Sequence, residues 1–132
     1  MARASESRLV YLDTHIVCWL YEGRTELLSA YADAAIEHGR LRVSPIVSLE
    51  LQYLYEIRRI SKSPEAVLSA LAADIGLETG EEPFASVVKQ ACTLGWTRDP
   101  FDRLIVAETM LAQAKLVTKD GTIRKHCAAA VW

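Results

Sequence analysis

At 132 residues, with 51% hydrophobic and 24% charged residues, the chain has the size and makeup of one soluble globular domain that needs no disulfide or structural metal to fold. Its formal net charge of −2 excludes a globally basic surface, so any binding of nucleic acid must be local. Three widely spaced cysteines, Cys18, Cys92 and Cys127, form no C-x-x-C pair, "MARASESRLVYLD" has no apolar stretch of signal-peptide length and no later run approaches ~18 apolar residues, so a reducing cytoplasm is expected and secretion or membrane spanning is not.

Disorder is expected only in the first few residues. "RLVYL" (8–12) is a β-branched and aromatic run that stops at Asp13, after which "THIVCWLYE" takes up helical apolar spacing. "TELLSAYADAAIEHG" (25–39) reads as an amphipathic helix ended by Gly39, and "RLRVS" (40–44) as a second strand. Ser44-Pro45 supplies a cap and first-turn proline for a helix to about Arg59, and Ser63-Pro64 repeats the signal for a helix over 64–73. "IGLET" (75–79) is a third strand, followed by helices over about 82–92 and 100–113. "KLVTK" (115–119) is an apolar strand ending at Asp120, "TIRKHC" a short helical turn, and "AAAVW" (128–132) an alanine-rich edge strand. No repeat or linker divides the chain, so residues 1–132 form one domain. Strands alternating with helices predict parallel pairing with right-handed crossovers, an α/β fold with a doubly wound open sheet.

"WTRDPFDRLIVAETMLAQA" aims two acids at the start of a helix apolar enough to be buried. Asp99 fits the N-cap, Pro100 the first helical position and Asp102 the third, which is ordinary capping. Position in the sheet adds a chemical reading, because ligands of open parallel sheets bind at the carboxyl ends of the strands. Asp13 and Asp120 each end a strand at that edge, and the helix begun by Asp99 and Asp102 enters from it. Glu50 shares a helical stripe with Ile46, Tyr53, Leu54 and Ile57, and a carboxylate on an apolar stripe needs a cation. Four converging carboxylates repel one another unless a positive charge sits among them. A hard divalent cation, Mg²⁺ or Mn²⁺, resolves this and equips the site for metal-assisted phosphodiester hydrolysis. Arg103, a cation in a first turn, opposes the helix dipole; an ion pair with a neighbouring acid such as Asp99 is expected, with an RNA phosphate as the other candidate. The "IRRISK" cluster of Arg58, Arg59 and Lys62 reads as a solvated face, and His15, His38 and His126 as structural.

"YLDTHIVCWL", "VSPIVSLELQYLYEIRRI", "RDPFDRLIVAETMLAQAKLVTKDGTIRKH" and the terminal "VW" together resemble the PIN domain, specifically the VapC type of toxin ribonuclease, over nearly the whole chain. The resemblance implies an α/β/α sandwich with a mainly parallel sheet of about five strands and a Mg²⁺- or Mn²⁺-dependent endoribonuclease. It implies a homodimer and a cognate antitoxin as partners, with RNA as substrate. Carried over residue by residue, the catalytic and metal-binding acids are Asp13, Glu50, Asp102 and Asp120. Asp99 matches an extra acid of the "DPFDR" subgroup and acts as cap or outer support, while Thr14 and Thr118 match hydroxyl positions beside the acids. The apolar residues Trp19, Leu20, Leu51, Leu54 and Tyr55 exceed what one face can bury, which also suits a dimer and an antitoxin groove.

Two other classes are weighed. A phosphotransfer or phosphatase-like domain clusters acids at the same edge, but such phosphatases place a second acid two residues after the first, where this chain has His15. A non-catalytic binding module on the same fold would not need all four acids. Among nucleases, a structure-specific DNA nuclease would want a larger basic clamp than this chain has room for.

Overall fold

A computed structural model of the chain describes residues 8–132. The disorder and the missing leader expected at the extreme N-terminus fall on residues outside that range. The described elements are β1 (Leu9–Leu12), α1 (Thr14–Tyr21), α2 (Ala30–His38), β2 (Arg40–Val43), α3 (Ile46–Glu56), α4 (Pro64–Ile75), β3 (Glu78–Thr79), α5 (Phe84–Ala91), α6 (Pro100–Leu111), β4 (Lys115–Val117), α7 (Gly121–His126) and β5 (Ala130–Val131).

The five strands form one parallel sheet in the order β3-β2-β1-β4-β5. The chain therefore winds outward from β1 to β3, then crosses back and lays β4 against the other edge of β1. Right-handed crossovers that reverse direction in this way put helices on both faces. The reversal makes a crevice where β1 and β4 end side by side, with Leu12 paired to Val117. This is the α/β architecture expected from the alternating pattern, including the short fifth strand, which pairs Ala130 and Val131 with Leu116 and Val117.

The core explains the pattern of the strands. Tyr11, Leu12, Leu116 and Val117 are wholly buried in the middle of the sheet, and Ile105 to Thr109 are five consecutive buried residues of α6. Burial on all sides is what the apolar run after Asp102 requires. α6 packs against α5, α3 and β4, which locks its N-terminus over the crevice.

Several boundaries differ from the expectation, each for a local reason. The helix expected over 25–39 is broken: Thr25–Leu27 make one 3-10 turn, and Ser29 then accepts the Ala32 N–H at 3.0 Å to start α2 afresh. Ser44 caps α3 only weakly, at 3.4 Å from the Ile46 N–H, and Pro45 takes the capping place. α3 ends at Glu56 rather than near Arg59, with Arg58 left-handed just beyond (φ 61). α4 runs past 73 to Ile75 and stops at Gly76, whose φ of 70 suits glycine, so β3 keeps only two residues.

A buried acid not singled out in the sequence lies beneath these elements. Glu108 is 2% exposed on α6 and accepts the Tyr11 hydroxyl at 2.9 Å. Ser44 also bonds to it, and burial is the main force raising its pKa. Gly80 lies against this pair, and a Cβ there would run into the Glu108 carboxylate and the Tyr11 hydroxyl. The sign in the sequence was a glutamate amid the apolar helix residues 104–111.

Candidate active site

Asp13 leaves β1 at the crevice. Its backbone N–H continues the ladder to the Val117 carbonyl at 3.1 Å, and its side chain then caps α1, with Oδ1 accepting the Thr14 N–H at 2.8 Å. The carboxylate is 4% exposed, and Oδ2 accepts the Thr118 hydroxyl at 2.7 Å. Thr118 is itself fully buried and accepts the Asp120 N–H at 3.0 Å. One hydroxyl thus bridges the acids that end β1 and β4. Asp120 caps α7 through the N–H groups of Thr122 and Ile123 at 2.9 and 3.0 Å.

Glu50 arrives from α3, where the Thr14 hydroxyl donates to its Oε1 at 2.5 Å. Its surroundings differ from the expected apolar stripe. The core side of α3 is Val47 and Leu51, while Tyr53 and Ile57 are exposed, so Glu50 sits half-buried on the flank facing α1. Asp99 is the N-cap of α6, its Oδ1 accepting from Phe101 at 2.8 Å and from Asp102 at 3.3 Å. That is the capping role read from the sequence.

Electrostatics tie these acids together. Burial, then the charges of Asp99, Asp13, Asp120 and Glu50, push the Asp102 carboxyl from 3.8 up to about 7. Burial also raises Glu50, opposed by the Thr14 hydrogen bond and reinforced by Asp13 and Asp99. Asp102 therefore lies within the field of the other four acids, as a shared edge requires. Among the described residues, however, no three Asp, Glu, His or Cys side chains close into a metal cage. An open set of carboxylates that repel one another suits a hard cation that keeps several of its waters and takes only a few protein oxygens. The donor set fits such an ion and contains none of the soft ligands that a structural zinc prefers.

Arg103 departs from expectation. Its Nε donates to the Thr97 carbonyl at 2.8 Å, and among the described residues it joins no ion pair with Asp99 or another acid. The short Asp99 side chain is turned toward the helix amides, which leaves the guanidinium to brace the loop before α6. Arg98, Lys119, Arg124 and Lys125 are exposed around the crevice, and Trp96 stacks on His126 with centroids 5.1 Å apart. Arg58, Arg59 and Lys62 are exposed at the far end of α3, as a solvated face should be.

His15 holds more than the sequence reading gave it. Its Nε2 accepts the Lys119 N–H at 3.1 Å, and its Nδ1 lies 3.5 Å from Asp13 Oδ2. Burial lowers its pKa against the pull of Asp13 and Asp120. Its position two residues after Asp13 was visible, but contact with Lys119, 104 residues away, was not.

Comparison with known proteins shows the family and the fold. A family model described as the PIN domain matches residues 10–128. Ribonuclease VapC22 of Mycobacterium tuberculosis (strain ATCC 25618 / H37Rv) is 34% identical over 120 residues, covering 89% of this chain and 91% of that protein. The crystal structure of VapBC2 from Rickettsia felis bound to a DNA fragment from their promoter contains a chain that shares the fold, with a TM-score of 0.65 at 18% identity, over 93% of this chain and 96% of that one. No helix among the described residues is long and apolar enough to cross a membrane.

Proposed function

The chain belongs to the PIN-domain family, and from that premise we propose that it is a cytoplasmic, metal-dependent endoribonuclease, the toxin of a toxin–antitoxin pair. The observation that carries this reading is the meeting of acids at one sheet edge, where the Thr118 hydroxyl joins Asp13 to the Asp120 backbone and the Thr14 hydroxyl holds Glu50; burial and the neighbouring charges raise the Asp102 carboxyl in keeping with it. Asp13, Glu50, Asp102 and Asp120 would hold Mg²⁺ or Mn²⁺. When bound, such a cation polarises a phosphate and lowers the pKa of water, the chemistry of phosphodiester hydrolysis.

The chain's own residues prepare that chemistry. The Thr118 hydroxyl fixes Asp13 and the Asp120 backbone in one geometry, and the Thr14 hydroxyl fixes Glu50. Asp99 spends its carboxylate on the α6 amides, so it supports Asp102 rather than replacing it. The exposed Arg98, Lys119, Arg124 and Lys125 offer phosphate contacts that a net charge of −2 does not supply globally. The stacked Trp96 and His126 add a flat aromatic rim, suited to unpaired bases of single-stranded or looped RNA. A homodimer and an antitoxin that seats an apolar segment suit the half-buried Trp19, Leu20 and Leu54 and the exposed Tyr55.

Purified protein, freed of antitoxin, is expected to cut single-stranded RNA in Mg²⁺ or Mn²⁺ and to stop in EDTA. Undiminished cleavage in chelator refutes the mechanism. Asp102→Asn should lose most of the rate while remaining folded.

A further inference from the structure

Asp13 and Asp120 come from different strands, and Asp120 lies beyond the last paired residue of β4. The distance between the two carboxylates therefore depends on what holds the 118–120 segment. Thr118 holds one end of it, through the bonds described above. The other hold is His15. Its Nε2 accepts the Lys119 N–H at 3.1 Å, and an accepting Nε2 places the ring proton on Nδ1, 3.5 Å from Asp13 Oδ2. Trp19 packs edge-to-face with the ring, centroids 5.1 Å apart, and Trp132 packs on Trp19 at 6.2 Å, so aromatic packing holds the imidazole as well.

We propose that His15 is a positioning residue for the metal-dependent reaction, a strut between the Asp13 carboxylate and the Lys119 amide that sets how far apart Asp13 and Asp120 meet a divalent cation. This rests on the metal-dependent reading given above. His15 need not touch the ion or the RNA. It acts through the two acids on either side of it, in the way that groups orienting a ligand typically change metal affinity by about 10–100-fold when lost.

The test reads metal binding without RNA. Mn²⁺ is titrated calorimetrically into metal-free wild-type protein and into His15→Ala, His15→Asn and His15→Gln. A glutamine amide oxygen can reach the place of Nε2 and accept from Lys119, whereas asparagine stops near Nδ1. His15→Ala and His15→Asn should weaken Mn²⁺ by about 10–100-fold, and His15→Gln, which keeps the Lys119 contact but not the approach of Nδ1 to Asp13, should bind more tightly than either. Leu71→Ala, a core truncation on α4, controls for general loosening and should leave the Mn²⁺ affinity unchanged. Cleavage by His15→Ala should recover at saturating Mn²⁺. Unchanged affinity in His15→Ala, no rescue by glutamine, or an equal loss in Leu71→Ala overturns the strut. Wild-type protein that binds no Mn²⁺ at all would instead refute the metal reading on which it stands.

Discussion

Replacing Asp102 by asparagine should stabilise the metal-free protein, although it removes a group needed for activity. Burial and four neighbouring carboxylates raise the Asp102 pKa from 3.8 to about 7. An acid whose pKa is raised by folding is protonated in the folded state where the unfolded chain has already lost its proton. The resulting penalty is absent below about pH 4, grows as pH rises toward about 7, and is complete above that. Some three units at 1.36 kcal/mol each set an upper bound of about 4 kcal/mol. Asp102 is partly open to solvent, and screening brings the expected figure to about 1–2 kcal/mol. For a domain of this size that is a rise of about 3–8 °C in Tm. Thermal unfolding in EDTA at pH 8 and at pH 4 measures it. Asp102→Asn should melt higher than wild type at pH 8 and level with it at pH 4. Adding Mn²⁺ should then raise the wild type and move the variant less. Equal melting at pH 8, or the same gain at both pH values, refutes the crowded-carboxylate account.

Asp99→Ser should keep the α6 cap, with a melting temperature close to wild type and much of the RNA cleavage, whereas Asp102→Ser should lose the cleavage; equal losses would place both acids on the metal. Glu108→Ala strands the buried Tyr11 hydroxyl and should destabilise by about 1–3 kcal/mol in urea unfolding. Glu108→Gln keeps an acceptor, and because burial raises the Glu108 pKa, it should also remove part of the wild type's decline in stability as pH rises above 4.5. Gly80→Ala drives a methyl group into the Glu108–Tyr11 contact and should lower stability by about 1–3 kcal/mol, read as a drop in Tm. Arg103→Gln frees the Thr97 carbonyl and should lower stability by about 1 kcal/mol while leaving the salt dependence of RNA binding unchanged; a shallower salt slope would show the side chain on a phosphate instead.

The crevice was legible because its acids mark ends: Asp13 and Asp120 terminate buried strands, and Asp99 and Asp102 begin a buried helix. Chain order and crossover handedness then bring them to one edge without any knowledge of distances. Glu50 was found by a weaker argument. The stripe assigned to it proved to be half solvent-facing, with Tyr53 and Ile57 exposed, because α3 needs only Val47 and Leu51 to meet the core. Helix ends governed by left-handed residues were misjudged at Arg58, where nothing in an arginine announces a positive φ, but the stop at Gly76 lies where glycine permits it. The contacts of Arg103 and His15 were hidden for a common reason. Their partners, the Thr97 carbonyl and the Lys119 amide, are backbone groups, and a sequence does not display which backbone groups a fold leaves open.

Asp13, Asp99 and Asp120 each cap a helix as well as standing at the crevice. The two duties respond differently to chance mutation. A cell that survives its own nuclease by altering Asp13 or Asp120 would lose a cap as well and carry a weakened protein, cleared along with whatever partner it holds. Alteration of Asp102 or Glu50 would leave a folded, inert copy that still occupies that partner. Inactive alleles of such a gene should therefore fall into two kinds, those that vanish from the cell and those that persist as decoys, with the divide running between capping and non-capping acids.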